Sequence, residues 1–298
     1  MNILSPSVLR SLLFVPASRP ELIAKAQSGH ADAVIFDLED AVAERSKTAA
    51  RRNVSNAMRE GLRKPAFLRV SHPATPAFRD DMELVADVPS FDNFLGILVP
   101  KVKSPVEIGD ICRTLTKIEI GRACGSEPLA IIPLIECCVG LRNAFEICRA
   151  TTRVAGICIA SAEEGDFMVD LGGRWTEKSN ALLYPRSKLV VDARAAGIGW
   201  IIDGVFMNLE SADALRKESE LARELGYNSK MAIHPDQVKA INEVFSPSDA
   251  EMAQAQRLVE AFRQAQESGV GALNFEGRMV DLANFKLAER TLSLRRTN

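Results

Sequence analysis

The sequence contains no long apolar run and no excess of charge of one sign. None of its apolar stretches approaches the ~20 residues that a membrane-spanning helix needs, and the first, residues 12–15, is too short for the core of a signal peptide. Its 37 Lys and Arg residues nearly balance its 39 Asp and Glu residues, so no basic field attracts nucleic acid. We therefore expect an intracellular, cytoplasmic protein that binds neither membrane nor nucleic acid.

Several catalytic and binding motifs are also missing. The six cysteines never form a CxxC pair and mostly lie in apolar stretches, which is typical of reduced, buried thiols rather than of a disulfide framework or a zinc site. No GxGxxG loop follows the first apolar run, and no GxSxG motif occurs. These absences argue against a nicotinamide enzyme and against acyl-enzyme chemistry with a serine nucleophile.

What the sequence does contain is a regular alternation of short apolar runs and helix-like stretches, which predicts βαβ units and a parallel sheet. Eight such units match a closed (β/α)8 TIM barrel better than an open sheet, which more often has five to seven strands. The predicted strands are residues 11–16, 33–39, 66–70, 96–101, 130–136, 154–161, 200–206 and 230–235.

The residues after the eighth predicted strand form an extension. Ser248 and Glu251 have the spacing of a capping box, which predicts a helix to about Ser268, followed by a strand-like piece at 272–280 and a last helix from Asp281. We expect residues 1–245 to form the TIM-barrel catalytic domain and residues 246–298 to form a helical extension that packs on a neighbouring subunit. The reason is that its first helix has an apolar face with no obvious place in a closed barrel: Met252, Leu258, Val259 and Phe262.

Polar residues follow several predicted strands, at the end of the barrel where active sites lie. Glu136 ends the fifth strand and Asp166 follows the sixth, so neighbouring strands would present two carboxylates at one mouth, where Lys101 also ends the fourth strand. Two carboxylates suit Mg²⁺, which leaves its other positions to water and substrate oxygens. Alternatively, Glu136 forms a buried ion pair with a neighbouring Arg or Lys.

Arg69 lies inside an apolar run, where a guanidinium is well shaped to bind a carboxylate through two hydrogen bonds. It could equally be the partner of Asp37 or Glu39.

The acidic segment that follows the second strand has a simple structural interpretation as well. Asp40 could be the N-cap of the next helix.

These residues occur within a series of motifs that resembles the citrate lyase β-subunit-like proteins of the aldolase and citrate lyase superfamily. The resemblance covers essentially the whole chain, and several motifs in the same order are more specific than any one of them. The motifs are RSLLFVP (10–16), DAVIFDLEDAV (32–42), FLRV (67–70), PLIE (133–136), GDFMVDLGG (165–173), LLYPRSKLVVDARAAG (182–197), IDGVF (202–206), KMAIHPDQV (230–238) and GRMVD (277–281).

The resemblance implies a TIM barrel with a C-terminal helical extension, usually in homotrimers or hexamers. It implies cleavage or formation of a carbon–carbon bond in 3-hydroxyacyl thioesters such as citramalyl-CoA, malyl-CoA or citryl groups on a carrier protein. It further implies that Glu136 and Asp166 hold Mg²⁺ and that Arg69 binds the carboxylate of the 2-oxo acid.

Four further roles come from the same resemblance. Lys25, Lys47 and Arg51 match positions that meet the phosphates and ribose of coenzyme A. Asp281 matches a catalytic acid/base that related enzymes deliver into a neighbouring subunit's active site, although it could be only the N-cap of the last helix. One departure concerns the sequence EEGD (163–166), where Gly165 replaces a glutamate that usually precedes the metal ligand.

The function expected from these features is Mg²⁺-dependent cleavage of a 3-hydroxyacyl-CoA into an acyl-CoA and a 2-oxo acid. One alternative is a thioesterase or a malate-synthase-like enzyme that uses the same site. Another is the citryl-carrier-protein lyase subunit of a citrate lyase complex.

Overall fold

The structure is a computed structural model that describes residues 9–88, 92–120, 128–176 and 180–294. Eight parallel strands pair in chain order, and β1 pairs with both β2 and β8, which closes the ring. The predicted TIM barrel is therefore confirmed. The strands are β1 (Ser11–Pro16), β2 (Ala33–Asp37), β3 (Ala66–Arg69), β4 (Phe94–Val99), β5 (Ala130–Ile135), β6 (Gly156–Ile159), β7 (Trp200–Asp203) and β8 (Ser229–Ala232).

Helices connect the strands, as parallel pairing requires. A 3-10 turn (Glu44–Ser46) precedes the second helix, and two helices each follow β5 and β6. The helices are α1 (Pro20–Ser28), α2 (Lys47–Glu60), α3 (Pro76–Asp87), α4 (Pro105–Ile120), α5 (Cys138–Arg142), α6 (Ala144–Arg149), α7 (Asp166–Leu171), α8 (Asn180–Ala195), α9 (Ala212–Leu225), α10 (Pro235–Val244), α11 (Asp249–Glu267) and α12 (Leu282–Ser293). No helix in these described ranges is both long and apolar enough to cross a membrane.

The strands are buried on both faces, which is why they read as continuous apolar runs. Alternate residues form a cluster inside the barrel, among them Leu12, Phe67 and Trp200, while their neighbours face the surrounding helices. Cys158 belongs to the same interior cluster and is a free thiol, as are the other cysteines in the described ranges. Cys124 lies outside the described residues.

Several strands end earlier than the apolar pattern predicts, and β2 shows the physical reason. Asp37 is its last paired residue, opposite Arg69 of β3. The Asp37 carboxylate then accepts hydrogen bonds from the backbone N–H groups of Glu39 (2.9 Å) and Ala41 (3.3 Å), which turns the chain away from the sheet. Glu39 and Asp40 consequently lie in the loop at the mouth.

The described residues fall into two compact units, divided between Glu243 and Val244. In the second unit, the predicted capping box of Ser248 and Glu251 is present at the start of α11. A hairpin of β9 (Leu273–Phe275) and β10 (Arg278–Val280) lies between α11 and α12 in the chain.

The apolar face of α11 has a partner within its own unit. Val259 packs with Ala288 of α12, and the rings of Phe262 and Phe285 stack with centroids 5.0 Å apart. α12 therefore covers part of this face within the extension itself, so the face alone does not call for a neighbouring subunit. Packing of the extension on a neighbouring subunit stays a prediction.

Candidate active site

Charged side chains collect at the carboxyl ends of the strands. Five of them are carboxylates and two are cations, so the mouth of the barrel has fewer positive than negative groups. The carboxylates belong to Asp37, Glu39, Asp40, Glu136 and Asp166, and the cations belong to Arg69 and Lys101.

Arg69 is held rigidly at the end of β3. Its Nε and Nη2 donate to the two carboxylate oxygens of Asp37 at 2.8 and 2.6 Å, and its guanidinium lies 4.8 Å from the ring centroid of Phe14. Burial alone would lower the pKa of Arg69, but the hydrogen bond and charge of Asp37 raise it. The structure thus contains the ion pair that the sequence left open as an alternative, and Nη1 is the nitrogen outside the bidentate contact, 3.4 Å from Glu39.

Lys101 links the acidic loop after β2 to the end of β5. Its backbone N–H donates to Glu136 Oε1 at 3.3 Å, and its Nζ lies 2.8 Å from Glu39 Oε1, 3.4 Å from Asp40 Oδ1 and 3.3 Å from Asp166 Oδ2. Burial would lower the pKa of Lys101, but the hydrogen bond with Glu39 and the nearby carboxylates raise it, so the side chain stays an ammonium at neutral pH. Sequence reasoning noted only its position at a strand end.

Glu136 is a buried carboxylate with few hydrogen bonds. Its residue is 6% exposed, and within the described part of the chain its carboxylate accepts only the long hydrogen bond from Lys101. Burial is the main reason that the pKa of Glu136 is raised to about 8, and the charge of Glu39 adds to the effect. Asp166, the first residue of α7, is 56% exposed at its side chain.

Two cavities meet at this pair of carboxylates, since Glu136 and Asp166 line both. One, of about 430 Å³, also contacts Lys101, Lys103 and Cys137. The other has a volume of about 200 Å³ and is lined by Phe14, Asp40, Arg69, Leu134, Glu136, Ile159, Ala160, Ala162, Gly165, Asp166, Gly204, Val205 and Met231. The smaller cavity therefore brings the predicted metal pair and Arg69 together beside a largely apolar wall.

The donor set fits Mg²⁺. Within the described ranges, no group of three or more His, Cys, Asp or Glu side chains could hold a metal ion, so a closed four-ligand site is not formed there. Mg²⁺ needs only one or two carboxylates and keeps several positions for water and substrate. The nearly unpartnered carboxylate of Glu136, next to Asp166 and two cavities, meets this requirement.

The three basic residues expected near coenzyme A lie on helices around the barrel, away from the two cavities. Lys47 donates to Ser71 Oγ at 2.9 Å, and Arg51 donates to Asp81 Oδ1 at 2.7 Å and to the carbonyl of Ala77 at 3.0 Å, which ties α2 to α3 and to the segment after β3. Lys25 is exposed in the last turn of α1. None of the three lines the two cavities described above, and their contact with coenzyme A stays a prediction.

Asp40 does not cap a helix. The helix α2 begins at Lys47, after the 3-10 turn, and its N-cap is Ser46. The interpretation of Asp40 as an N-cap is wrong because its carboxylate lies beside Arg69 and Lys101 instead.

Asp281 is the N-cap of α12. Its Oδ1 accepts hydrogen bonds from the N–H groups of Ala283 (2.8 Å) and Asn284 (3.4 Å), and Asn284 Oδ1 accepts from the N–H of Asp281 at 3.0 Å. The cap uses only one of the two carboxylate oxygens, and the residue is exposed. A role as acid/base therefore stays a prediction.

Sequence reasoning missed a buried network of charges between the barrel and its helices. Arg186 of α8 binds Asp203 of β7 through Nε at 3.0 Å and Nη2 at 2.5 Å, and Lys230 of β8 lies 2.5 Å from the same carboxylate. Glu218 of α9 accepts from both cations, at 3.0 and 3.1 Å, so the charges balance. The signal was one charged residue in each of two short, buried strands, Asp203 in WIID and Lys230 in SKMA.

Comparison with known proteins agrees with this architecture. The profile of the HpcH/HpaI aldolase/citrate lyase family matches residues 10–235, and that of the C–C bond lyases of the TIM-barrel fold matches residues 187–296. The crystal structure of the CitE protein from Mycobacterium tuberculosis in complex with magnesium, acetoacetate and coenzyme A has a TM-score of 0.76 and 28% identity, covering 97% of this chain and 98% of that chain.

Three relatives span nearly the whole chain. A citrate lyase subunit beta-like protein of Deinococcus radiodurans is 34% identical, covering 97% of this chain and 98% of the relative. The mitochondrial citramalyl-CoA lyase of Homo sapiens is 30% identical, covering 96% of this chain and 85% of the relative. A (3S)-malyl-CoA thioesterase of Cereibacter sphaeroides is 32% identical, covering 95% of this chain and 93% of the relative.

The barrel and these matches define a carbon–carbon lyase with a TIM-barrel fold. The chain belongs to the HpcH/HpaI aldolase/citrate lyase family.

Proposed function

We propose that the protein cleaves a 3-hydroxyacyl-CoA into an acyl-CoA and a 2-oxo acid, with Mg²⁺ bound by Glu136 and Asp166. The observation that carries the proposal is one cavity lined by both carboxylates and by Arg69. Further support comes from the charge at the mouth, where the excess of carboxylates favours a divalent cation. Magnesium in the related CitE complex supports the choice of metal.

In the proposed reaction, a base takes the proton of the C3 hydroxyl group, and the bond between C2 and C3 breaks. The electron pair of that bond passes to the thioester enolate, which is then protonated, while C3 becomes the carbonyl carbon of the 2-oxo acid. Mg²⁺, when bound, polarises the oxygen on C3 and stabilises its negative charge.

The chain's own residues would bind, orient and move the proton. Arg69 would hold the carboxylate next to C3, using Nη1 beside the fixed contact with Asp37. Asp281 of a neighbouring subunit would be the base, through the carboxylate oxygen that its cap does not use. This assignment requires a homo-oligomer, for which we propose a trimer or hexamer.

Coenzyme A would be held by Lys25, Lys47 and Arg51. Lys47 and Arg51 already make hydrogen bonds within the chain, so each would contribute only its remaining donors. Neutral variants of these two residues should raise the KM for the thioester more than they lower kcat, if they bind a part of the substrate remote from the breaking bond.

Hydrolysis of the thioester is a second candidate function. This candidate is supported by the 32% identity to a (3S)-malyl-CoA thioesterase over nearly the whole chain. A carrier-protein thioester is a third candidate, since relatives are named citrate lyase subunit beta. The hydrolase would release free coenzyme A without a 2-oxo acid, whereas the carrier-protein enzyme would prefer an acylated carrier to its CoA analogue.

The metal assignment is tested by replacing each carboxyl group with its amide. Glu136→Gln and Asp166→Asn should each abolish Mg²⁺-dependent release of 2-oxo acid while the circular dichroism spectrum is unchanged, because each removes one of two protein ligands. Glu163→Gln is the matched control, since Glu163 is exposed, close in sequence and lines neither cavity. Full activity of Glu136→Gln after metal removal and restoration of Mg²⁺ would contradict the assignment.

A further inference from the structure

Lys101 has an unusual backbone conformation for a residue with a side chain. Its φ angle is +56°, in the left-handed region that residues other than glycine, asparagine and aspartate seldom adopt. Such strain persists only where surrounding contacts enforce it. Here the contacts are the hydrogen bond from the Lys101 N–H to Glu136 and the approach of Nζ to three carboxylates.

The Lys101 ammonium lies among the carboxylates where the proposed metal would bind. It is 3.3 Å from Asp166 Oδ2, and its two other carboxylate neighbours are Glu39 and Asp40. An ammonium donates at most three hydrogen bonds, and these three carboxylates match that number. Lys101 therefore supplies Asp166 with the positive charge that a bound Mg²⁺ would otherwise provide.

We infer that Lys101 is a built-in competitor for Mg²⁺ that sets the metal affinity of the site, an inference that rests on the proposed function. For Mg²⁺ to bind, the ion pair between Asp166 and the Lys101 Nζ must break. The side chain of Asp166 is exposed, so it can turn toward the ion. Lys101 keeps Glu39 and Asp40 as partners afterwards. It is a positioning residue, because its ammonium orients the carboxylates of Glu39, Asp40 and Asp166 around one point.

The sign of the expected effect follows from charge. Replacing Lys101 by methionine removes both the competitor and a repulsive charge, but keeps the backbone N–H that contacts Glu136. The variant should therefore bind Mg²⁺ at least about tenfold more tightly, whereas Lys101→Arg should stay within about threefold of the wild type. Loss of the Lys101 charge also favours a proton on Glu136, which would compete with Mg²⁺. This does not reverse the sign, because the electrostatic free energy that a divalent ion gains from the loss of one positive charge is about twice that gained by a proton.

The test is calorimetric titration of the purified full chain with MgCl₂, so the readout is Kd and not activity. Lys103→Met is the matched control, since Lys103 is exposed, carries the same charge and lines the same larger cavity. Its Kd should change by less than about threefold. In the Asp166→Asn background, the effect of Lys101→Met should shrink, because the competition for Asp166 is already lost.

An unchanged or weaker Kd for Lys101→Met would overturn the inference, as would an equal tightening in Lys103→Met. If Lys101→Met does not fold, Lys101→Gln gives the same test, because it also removes the charge. If the wild type binds Mg²⁺ no better than Glu136→Gln does, the proposed metal site fails, and the inference fails with it. If Glu136→Gln weakens binding and Lys101→Met leaves it unchanged, only the inference fails.

Discussion

Binding of Mg²⁺ should release a proton from Glu136. The carboxyl group of Glu136 has a pKa raised to about 8, chiefly because it is buried. A metal ligand must be deprotonated, so Mg²⁺ and the proton compete for the same oxygens. Below the raised pKa most of the protein is protonated at Glu136, and the apparent affinity for Mg²⁺ must therefore fall as the pH falls.

The magnitude follows from that single pKa. At pH 7, about 0.9 proton should be released for each Mg²⁺ bound, and the apparent Kd should be about 50-fold weaker at pH 6 than at pH 8. Calorimetry in buffers of different ionisation enthalpy measures the proton release directly. Glu136→Gln is the control, since it should abolish both the release and most of the binding.

A constant Kd between pH 6 and pH 8 with no proton release would refute this reasoning. Such a result would mean either that Glu136 is ionised at neutral pH or that it is not a ligand. Glu136→Gln separates the two cases, because only loss of a ligand weakens binding of Mg²⁺.

Three further outcomes are expected. Asp203→Asn should lower the free energy of unfolding in urea by about 3–5 kcal/mol, because it leaves two buried cations without a carboxylate that both contact. Glu44→Gln, which changes an exposed carboxylate, should change that free energy by less than about 0.5 kcal/mol. A loss below about 1 kcal/mol in Asp203→Asn would contradict the role of the network. Arg69→Lys should lower kcat/KM by about 10- to 100-fold, since one ammonium cannot keep the bidentate contact and also bind substrate, and unchanged kinetics would remove Arg69 from the site. Asp281→Asn should be nearly inactive alone, yet regain activity when dissociated and reassembled with Glu136→Gln, because some mixed sites then combine an intact Glu136 with an intact Asp281. If mixed oligomers confirmed by mass spectrometry stay inactive, Asp281 does not act across subunits, and its role in the structure is that of an N-cap.

The barrel could be predicted because its strands are buried on both faces, which leaves a strong local pattern of short apolar runs. The ends of the strands could not be placed as well. For β2, the strand ends where the Asp37 side chain binds backbone N–H groups beyond it, and an apolar pattern carries no record of such a bond.

The candidate site was only partly predictable for a related reason. Glu136 and Asp166 follow neighbouring strands, so the fold alone brings them to one mouth. The contact of Lys101 with Glu39 joins residues 62 positions apart, and it depends on a left-handed backbone conformation that no local sequence preference indicates for lysine. The buried pair of Arg186 and Asp203 likewise depends on how α8 packs against β7.

Product analysis with a panel of thioesters tests the central claim most directly. Citramalyl-CoA, malyl-CoA and β-methylmalyl-CoA are each incubated with the wild-type protein and Mg²⁺, and 2-oxo acid, acyl-CoA and free coenzyme A are measured together. A lyase releases 2-oxo acid and acyl-CoA in equal amounts from at least one of these substrates, and releases neither after Mg²⁺ is chelated. Free coenzyme A without 2-oxo acid, or equal cleavage by Glu136→Gln, would contradict the account.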